Sequence, residues 1–283
     1  PEAAKEMRAR GARVEQTALP RVFGVFFNQN QAALLAEKEV REALALATDK
    51  TALVEEVLHG YGIPIQGPVP PLLLGKEELG KIAVPEEHGD RLKQAGALLQ
   101  KAKWNTNENT GVREKKKGKE TQKLAFSLAT AHAPELLQSA EMLKDMWGKI
   151  GVSIDVKIFE TGDLNQVVIR PRKYDALLFG EIIGRDLDLF AFWHSSQRND
   201  PGLNIALYTN SKVDKLLEDG RRIADPAKRL DAYTKATDAI SRDTPAIFLY
   251  APDFIYVLPE RIKGMRLKRL TIPSERFLNI HEW

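Results

Sequence analysis

Apolar residues recur three and four positions apart in several stretches of the chain, which is the spacing that places side chains on one face of a helix. The first such face lies within residues 40–47. Asp49 then has the position of an N-cap for a second helix, which Gly60 closes. The same reasoning predicts helices over residues 85–101, 134–150 and 163–169, one with a capping-box-like start at Ser211 and Asp214, and one capped by Asp225-Pro226.

Alternation of apolar and polar residues predicts strands over residues 124–128 and 152–158, and the apolar run 176–179 predicts a fully buried strand. Residues 246–250 and 254–258 are also strand-like. Four prolines and two glycines within residues 62–71 exclude a helix or a central strand there, so an extended connection is expected. Residues 105–119 are predicted to be a polar loop.

Strands alternate with helices along the chain, and this order predicts an α/β fold with a mixed sheet flanked by helices. The stretches 23–28 and 247–258 are the longest extended apolar runs near the two ends. We expect these two stretches to lie side by side.

The composition is that of a globular protein, because 43% of the 283 residues are hydrophobic and 29% are charged. No run approaches the ~20 apolar residues that a membrane-spanning helix needs. The absence of cysteine excludes disulfides and thiolate metal sites, and it is compatible with an oxidising compartment. Because the chain begins at Pro1 without a basic and apolar leader, we expect it to be an internal piece of a longer protein.

The net charge of +3 hides two basic segments. Residues 113–123 contain six cations and two anions, and residues 261–269 contain five cations and no anion. A nucleic-acid-binding protein would carry its positive charge on a continuous face with interleaved aromatic residues. Since one segment is a Lys/Gly/Glu loop and the other borders a strand, we interpret both as solvated and expect no nucleic-acid partner.

Motifs of known catalytic and cofactor sites do not occur. There is no HExxH, GxSxG, P-loop or GxGxxG pattern, and the five histidines are far apart: His59, His88, His132, His194 and His281. The loop 105–111 alternates like a calcium loop, but asparagine fills its carboxylate positions and no closing glutamate follows. We therefore expect no catalytic residue, no metal ion and no cofactor.

The segment 180–194 is the most unusual stretch. A buried strand runs out into acidic, basic and aromatic residues, and ligand sites of open α/β sheets gather beyond strand ends. Asp186 and Asp188 could hold an ammonium group by charge-assisted hydrogen bonds. In the alternative interpretation, Asp186 caps a short helix that follows it, and the aromatic residues Phe190 and Trp193 belong to the core.

Several short motifs follow one another in a characteristic order: Phe26-Phe27-Asn28, the helical run from Val40 to Lys50, the proline-rich residues 60–71, Tyr174-Asp175 followed by Asp186 to Phe190, the run from Asn204 to Leu217, and Asp225-Pro226 with Arg229 and Pro245. In this order they resemble the C-terminal part of the family-5 extracellular solute-binding proteins, the dipeptide- and oligopeptide-binding components of ABC transporters. The resemblance implies an α/β fold that forms one lobe of a two-lobed receptor of the periplasmic-binding-protein type II kind.

Together, the resemblance and the chemistry of segment 180–194 indicate a set of ligand-binding residues: Asn28, Glu181, Arg185, Asp186, Asp188, Phe190, Trp193 and Asn204. The sequence departs from the family pattern at Glu181, where members commonly carry an aromatic residue, and at Leu187, which stands in place of a proline. No arginine lies just before Gly180, so a carboxylate clamp from that position is absent.

By the resemblance, the chain is expected to be the C-terminal half of a substrate-binding protein that captures a peptide-like solute between two lobes and delivers it to a membrane permease. Residues 1–25 would lead from the N-terminal half, 26–250 would form the ligand-binding lobe, and 251–283 would return to the other lobe. The expected partners are a peptide or other small polar solute, the N-terminal lobe and ABC permease subunits. A second copy of the fragment is also an expected partner, through the two stretches 23–28 and 247–258, which would cross the hinge between the lobes. The expected location is extracytoplasmic, either periplasmic or as a cell-surface lipoprotein.

Two other functions are open on the sequence alone. The first is a carboxylate-dependent hydrolase that uses Glu181, Asp186 and Asp188 as paired carboxylates. The second is a sensory or structural module that keeps the lobe fold without transport. The binding protein is the leading hypothesis, and no enzymatic activity is expected from it.

Overall fold

The structure is a computed structural model of the chain that describes residues 1–75, 88–184, 186–265, 267 and 270–282. The helices are α1 (Glu2–Ala9), α2 (Lys38–Ala47), α3 (Lys50–Val57), α4 (His88–Lys101), α5 (Pro134–Gly148), α6 (Thr161–Asp163, continued by a π-helical turn over Leu164–Ile169), α7 (Phe190–Trp193), α8 (Ser211–Arg222) and α9 (Pro226–Asp243). The strands are β1 (Arg13–Ala18), β2 (Arg21–Phe27), β3 (Gly62–Pro64), β4 (Asn105–Thr106), β5 (Arg113–Lys117), β6 (Glu120–Lys123), β7 (Ala125–Ala131), β8 (Ser153–Phe159), β9 (Ala176–Ile182) and β10 (Ala246–Leu258). Short 3-10 helices cover Ala33–Ala36, Pro71–Leu74, Ser195–Gln197, Pro273–Phe277 and Ile280–Glu282.

One mixed sheet organises these elements. Strands β1, β10, β2, β9, β7 and β8 follow one another across it, and β3 also pairs with β10. β7 runs parallel to both β8 and β9, whereas β2 is antiparallel to its neighbours β9 and β10. Because parallel strands point the same way, β7, β8 and β9 end at one side of the sheet, which we call the carboxyl edge.

β10, a strand of 13 residues, pairs with β2 and β3 along its first part and with β1 along its second part. Its first half lies against β2, where Ala246 is opposite Phe26. Its second half lies against β1, where Asp253 is opposite Ala18. The predicted adjacency of the two terminal apolar stretches is therefore confirmed.

The pairing of β1 with β10 continues beyond the sheet as a two-stranded ribbon, formed by Arg13–Ala18 and Asp253–Leu258. Arg21, the first residue of β2, lies opposite Ile182, the last residue of β9. β1, which precedes β2, and the half of β10 that pairs with β1 therefore extend past the carboxyl edge.

Helices cover both faces of the sheet. Trp147 of α5 packs on Phe126 of β7 with 6.0 Å between ring centroids, and Trp193 of α7 packs on Phe26 of β2 at 6.2 Å. Phe26 of β2 and the β7 residue three positions after Phe126 both lie level with the same residue of β9, so they share one face of the sheet. Because successive strand residues alternate between faces, Phe126 lies on the other face. The predicted fold class, a mixed sheet flanked by helices, is confirmed.

Most predicted elements are present, because their apolar spacing matches the faces that the sheet buries. The strands predicted at 124–128, 152–158 and 176–179 are β7, β8 and β9. The helix predicted over 85–101 is present from His88, and its first three positions lie outside the described residues. The two strand-like stretches near the end form the single strand β10, and residues 62–64 of the extended connection add the short strand β3.

The predicted helix caps are confirmed at two starts and wrong at the third. Asp49 accepts a hydrogen bond from the backbone N–H of Ala52, and Asp225 caps α9. At α8 the capping side chain is Asn210, which accepts from the first free N–H groups of the helix. Asp214 therefore takes no part in a capping box, and its carboxylate instead accepts the N–H and hydroxyl of Ser195 at 2.8 and 2.6 Å.

The prediction of a polar loop over residues 105–119 is wrong in part, because Asn105–Thr106 and Arg113–Lys117 are strands, whereas residues 107–112 and 118–119 form the turns between strands. β4, β5 and β6 pair as a small three-stranded sheet. Arg113 of β5 donates to the carbonyl of Trp104 at 2.8 Å, and Lys115 binds the carboxylate of Glu37 at 2.9 Å. Long cationic side chains replace apolar residues as the contacts of β5, and so no alternating pattern revealed the strand.

Arg41 joins α2 to the end of α9 from a buried position, at 6% exposure. Its guanidinium donates to the carbonyl oxygens of Leu35, Ala36, Asp243 and Thr244 at 2.8–3.1 Å. Burial lowers its pKa from the ordinary value, but an arginine remains protonated at neutral pH. Four backbone carbonyl groups thus accept hydrogen bonds from one charged side chain.

Replacing Arg41 with methionine is expected to lower the free energy of unfolding by about 3 kcal/mol, because the charge-assisted bonds to these backbone carbonyls are lost. Urea denaturation followed by circular dichroism measures this change. The control is Arg242→Met, since Arg242 is exposed and its guanidinium bonds the carbonyl of Asp238 in its own helix. Equal effects of the two substitutions would contradict the role of Arg41.

Lys50, the first residue of α3, bonds the proline-rich connection. Its ammonium donates to the carbonyl of Ile65 at 2.9 Å and to the side chain of Gln66 at 2.6 Å. Burial, with a smaller contribution from the charge of Arg91, lowers the pKa of Lys50 to about 7. In the unfolded chain the same lysine stays protonated up to about pH 10.

The unfolded state therefore binds more protons than the folded state between about pH 7 and pH 10, so Lys50 makes stability rise with pH in this window. We expect the urea midpoint to increase from pH 7 to pH 9 in the wild type relative to the Lys50→Met variant. Lys93→Met is the control, because the side chain of Lys93 is 83% exposed. A pH dependence unchanged by Lys50→Met would show that Lys50 is not the titrating group.

Candidate functional site

The segment after β9 leaves the sheet at the carboxyl edge, next to the ribbon. The N–H of Ile183 donates to the carbonyl of Pro20, between β1 and β2, at 2.9 Å. Gly184 and Leu187 both have positive φ angles, of 81° and 54°. A leucine in this left-handed region is uncommon, and such residues cluster at functional sites. The segment that the sequence singled out thus lies where ligand sites of α/β sheets gather.

Glu181 is the last buried residue of β9 and lies opposite Val22 of β2. Its side chain is 4% exposed, and neither carboxylate oxygen has a hydrogen-bond partner among the described residues. Burial alone raises the pKa of Glu181 well above its ordinary value. An ionised carboxylate is strongly disfavoured in such surroundings, and a cationic partner would stabilise its charge.

The two predicted aspartates have different environments. Asp186 is exposed. The carboxylate of Asp188 accepts hydrogen bonds from two nitrogens of the Arg221 guanidinium, at 2.6–3.0 Å. Asp188 also accepts the N–H of Phe190 at 3.1 Å, and α7 begins only at Phe190, with Leu189 as its N-cap residue and no side-chain cap from that residue. The alternative interpretation, in which Asp186 caps this helix, is therefore wrong. The bond to Asp188 raises the pKa of Arg221 above its usual value.

Phe190 is held in a stack on α8. The guanidinium of Arg221 lies 3.9 Å from the centre of its ring, and His194 stacks on the ring at 4.0 Å. The Nε2 atom of His194 lies 3.4 Å from the carboxylate of Glu218. A cation over an aromatic face is attractive, and this one is also tied to Asp188. The stack therefore fixes the far end of the segment to α8.

Trp193 and Asn204 are both fully buried. Trp193 lies among Phe26, Tyr208 and Phe248, in agreement with the interpretation that it belongs to the core. The amide of Asn204 donates to two backbone carbonyls and accepts the N–H of Tyr208 at 3.1 Å. In the described structure, Trp193 fixes α7 by packing and Asn204 fixes the backbone next to α7 by hydrogen bonds.

Asn28 lies at the opposite end of the sheet from Glu181. It follows β2 and bonds Asp175, the residue before β9, so about 16 Å of strand separates it from the carboxyl edge. Its amide donates to the carbonyl of Arg172 at 2.8 Å and accepts two N–H groups of the following turn. There it lines a polar cavity of about 340 Å³. The last predicted residue, Arg185, lies outside the described residues.

Sequence reasoning missed two charged residues near this segment. Arg221 pairs with Asp188 across 33 positions, and no local pattern indicates such a pair. Asp253 begins the ribbon half of β10, where burial raises the pKa of its carboxyl group. The amide of Gln16 lies 3.4 Å from this carboxylate. A polar residue between two strand-like stretches was the signal for Asp253.

Within the described ranges, no group of three or more metal-ligating side chains is placed to hold a metal ion. The helices in those ranges include none that is both long enough and apolar enough to cross a membrane. The chemical groups at the carboxyl edge are therefore a buried carboxyl, an exposed carboxylate and an aromatic residue fixed by a cation.

Comparisons with known proteins agree with this geometry. The family described as bacterial extracellular solute-binding proteins, family 5 Middle, matches residues 1–202. The oligopeptide-binding protein AppA of Bacillus subtilis is 29% identical over 253 residues, which cover 88% of this chain and 44% of AppA. Protein XP55 of Streptomyces lividans is 31% identical over 233 residues, or 81% of this chain and 40% of XP55.

Solved structures show the same fold. The structure of AppA from Bacillus subtilis in complex with a nonapeptide matches with a TM-score of 0.79 and 26% identity, over 99% of this chain and 54% of that one. NikZ from Campylobacter jejuni in complex with Ni(L-His) matches with a TM-score of 0.76 and 25% identity, over 99% of this chain and 55% of that one. The chain thus spans about half the length of the relatives that it matches. It belongs to the bacterial extracellular solute-binding proteins of family 5.

Proposed function

We propose that the chain forms the C-terminal half of an ABC-transporter substrate-binding protein, which captures a peptide-like solute between two lobes and delivers it to a membrane permease. The ribbon beside segment 180–194 is the observation that carries this proposal. Two strands that leave a lobe next to its candidate site are suited to act as a hinge, because closure then buries a solute at that site. The proposed location is extracytoplasmic.

The proposed division of the chain fits such a hinge. The boundary between residues 25 and 26 falls within β2, and the boundary between residues 250 and 251 falls within β10. Residues 26–250 then form the ligand-binding lobe, and both strands pass from it into the segments that would meet the other lobe. This arrangement leaves the carboxyl edge facing the second lobe.

The solute class is inferred from the relatives and from the charges. AppA is named for binding oligopeptides, and relatives from Pseudomonas aeruginosa are named for dipeptides and tripeptides. Exposed Asp186 offers a carboxylate for the ammonium group of a peptide. Asp188, Phe190, Trp193 and Asn204 support the site by fixing its backbone, and Asp188 is not available as a catalytic base because Arg221 holds it. We therefore propose binding and not hydrolysis.

The test is isothermal titration of the full-length protein with peptides of two to nine residues. We expect Asp186→Asn to weaken the affinity for a bound peptide about 10- to 100-fold, because one charge-assisted hydrogen bond is lost. Asp145→Asn is the matched control, since Asp145 is an exposed aspartate on α5. The peptide should be recovered intact.

Equal affinities of the wild type and Asp186→Asn would remove Asp186 from the site. Cleavage of the peptide during the titration would favour the hydrolase instead.

A further inference from the structure

Glu181 is a buried acid of the segment, and neither oxygen of its carboxyl group has a hydrogen-bond partner in the described structure. The Nε1 of Trp193 and the Nε2 of His194 also lack hydrogen bonds there, but both are neutral or weakly polar ring atoms, and His194 Nε2 lies 3.4 Å from the carboxylate of Glu218. Asp188 binds Arg221, the amide of Asn204 makes three bonds, and His194 bonds Ser196. Both oxygens of Glu181 are buried in the lobe and have no hydrogen-bond partner among the described residues. An unpaired buried polar group weakens a fold, and a leucine or methionine of similar size would not carry this cost.

The nearest cation on the neighbouring strand does not reach this carboxyl. Arg21 is opposite Ile182, the residue after Glu181. Because side chains of successive strand residues point to opposite faces, Arg21 and Glu181 leave the sheet on opposite sides. The Nε atom of Arg21 is itself buried and has no hydrogen-bond partner among the residues that the structure describes. The register of β2 with β9 thus keeps the two charges apart.

We propose that Glu181 is a specificity residue that binds a second cationic group of the solute, namely the side chain of a lysine or arginine in a bound peptide. This inference rests on the proposed function and deepens it, since Asp186 is reserved for another ammonium group. A cationic group of the solute supplies the hydrogen-bond donor that no described residue provides for Glu181. A buried ion pair with its hydrogen bonds satisfied is stable, whereas the lone charge is not.

An organic cation suits this site better than a metal ion. A metal ion needs several ligands, and the described residues contain no cluster of three that could supply them. An ammonium or guanidinium group can use one carboxylate together with neighbouring acceptors. Glu181 is also followed at once by the segment with positive φ at Gly184 and Leu187, so the backbone beside it is held in an uncommon conformation.

The experiment uses tetra-alanine peptides in which one residue, at position two, three or four, is lysine or the uncharged norleucine of similar length. Titration calorimetry at pH 7.5 gives the affinity of the full-length protein for each pair. We expect at least one lysine peptide to bind tenfold or more tightly than its norleucine counterpart. In Glu181→Gln this ratio should fall to about one.

Glu160→Gln is the matched control. Glu160 follows β8 at the same carboxyl edge, but its side chain is 76% exposed and lies near His132. This variant should keep the lysine preference of the wild type. Glu181→Leu gives a second readout, because removal of the unpaired carboxyl should raise the melting temperature by a few degrees while the lysine preference is lost.

Equal binding of lysine and norleucine peptides by the wild type would overturn the role of Glu181 and leave the proposed peptide binding intact. A preference that survives in Glu181→Gln would overturn it as well. Binding of none of the peptides would overturn both proposals. A melting temperature lowered by Glu181→Leu would mean that the carboxyl has a structural partner, which also contradicts the inference.

Discussion

The pairing of β10 with β1 and β2 is the constraint on which the rest of the structure depends. A 13-residue strand carries a row of N–H and C=O groups that must be bonded wherever they are buried. β2 and β3 bond the half inside the lobe, and β1 bonds the half outside it. This pairing brings residues from opposite ends of the chain together. The register of β2 with β9 then sets Arg21 level with Ile182, which fixes where the segment after β9 begins.

Buried polar groups in this lobe fall into two kinds. Arg41 and Asn204 are deeply buried, and their side chains donate hydrogen bonds to backbone carbonyls. Glu181 is equally buried and bonds nothing in the described structure. Since the first kind adds to stability and the second subtracts from it, only the first can be explained by folding alone. The rule that buried polar groups are hydrogen-bonded fails at Glu181, and such exceptions are expected at functional sites.

The sequence predicted those parts of the fold that depend on apolar spacing. α2, α5 and β8 bury one face each, so their patterns were sufficient. β5 was missed because its contacts are made by cationic side chains, and the α8 cap was misassigned because Asn210 precedes the predicted residue. The burial of Glu181 could not be predicted, because the uninterrupted apolar run of β9 gives no sign of which face is covered. Pairs such as Asp188 with Arg221, or the distance of Asn28 from Glu181, depend on topology and have no local pattern.

The segment after β9 is fixed at two points that belong to different parts of the lobe. Ile183 is bonded to Pro20 at the base of the ribbon, and Asp188 is bonded to Arg221 of α8. The exposed Asp186 lies between these attachments. A short loop with both ends fixed has little freedom of its own, so its conformation follows the relative position of its two anchors. A movement of the ribbon relative to α8 would therefore act directly on Asp186, and the residue proposed to hold the solute is mechanically coupled to the strands proposed to bend.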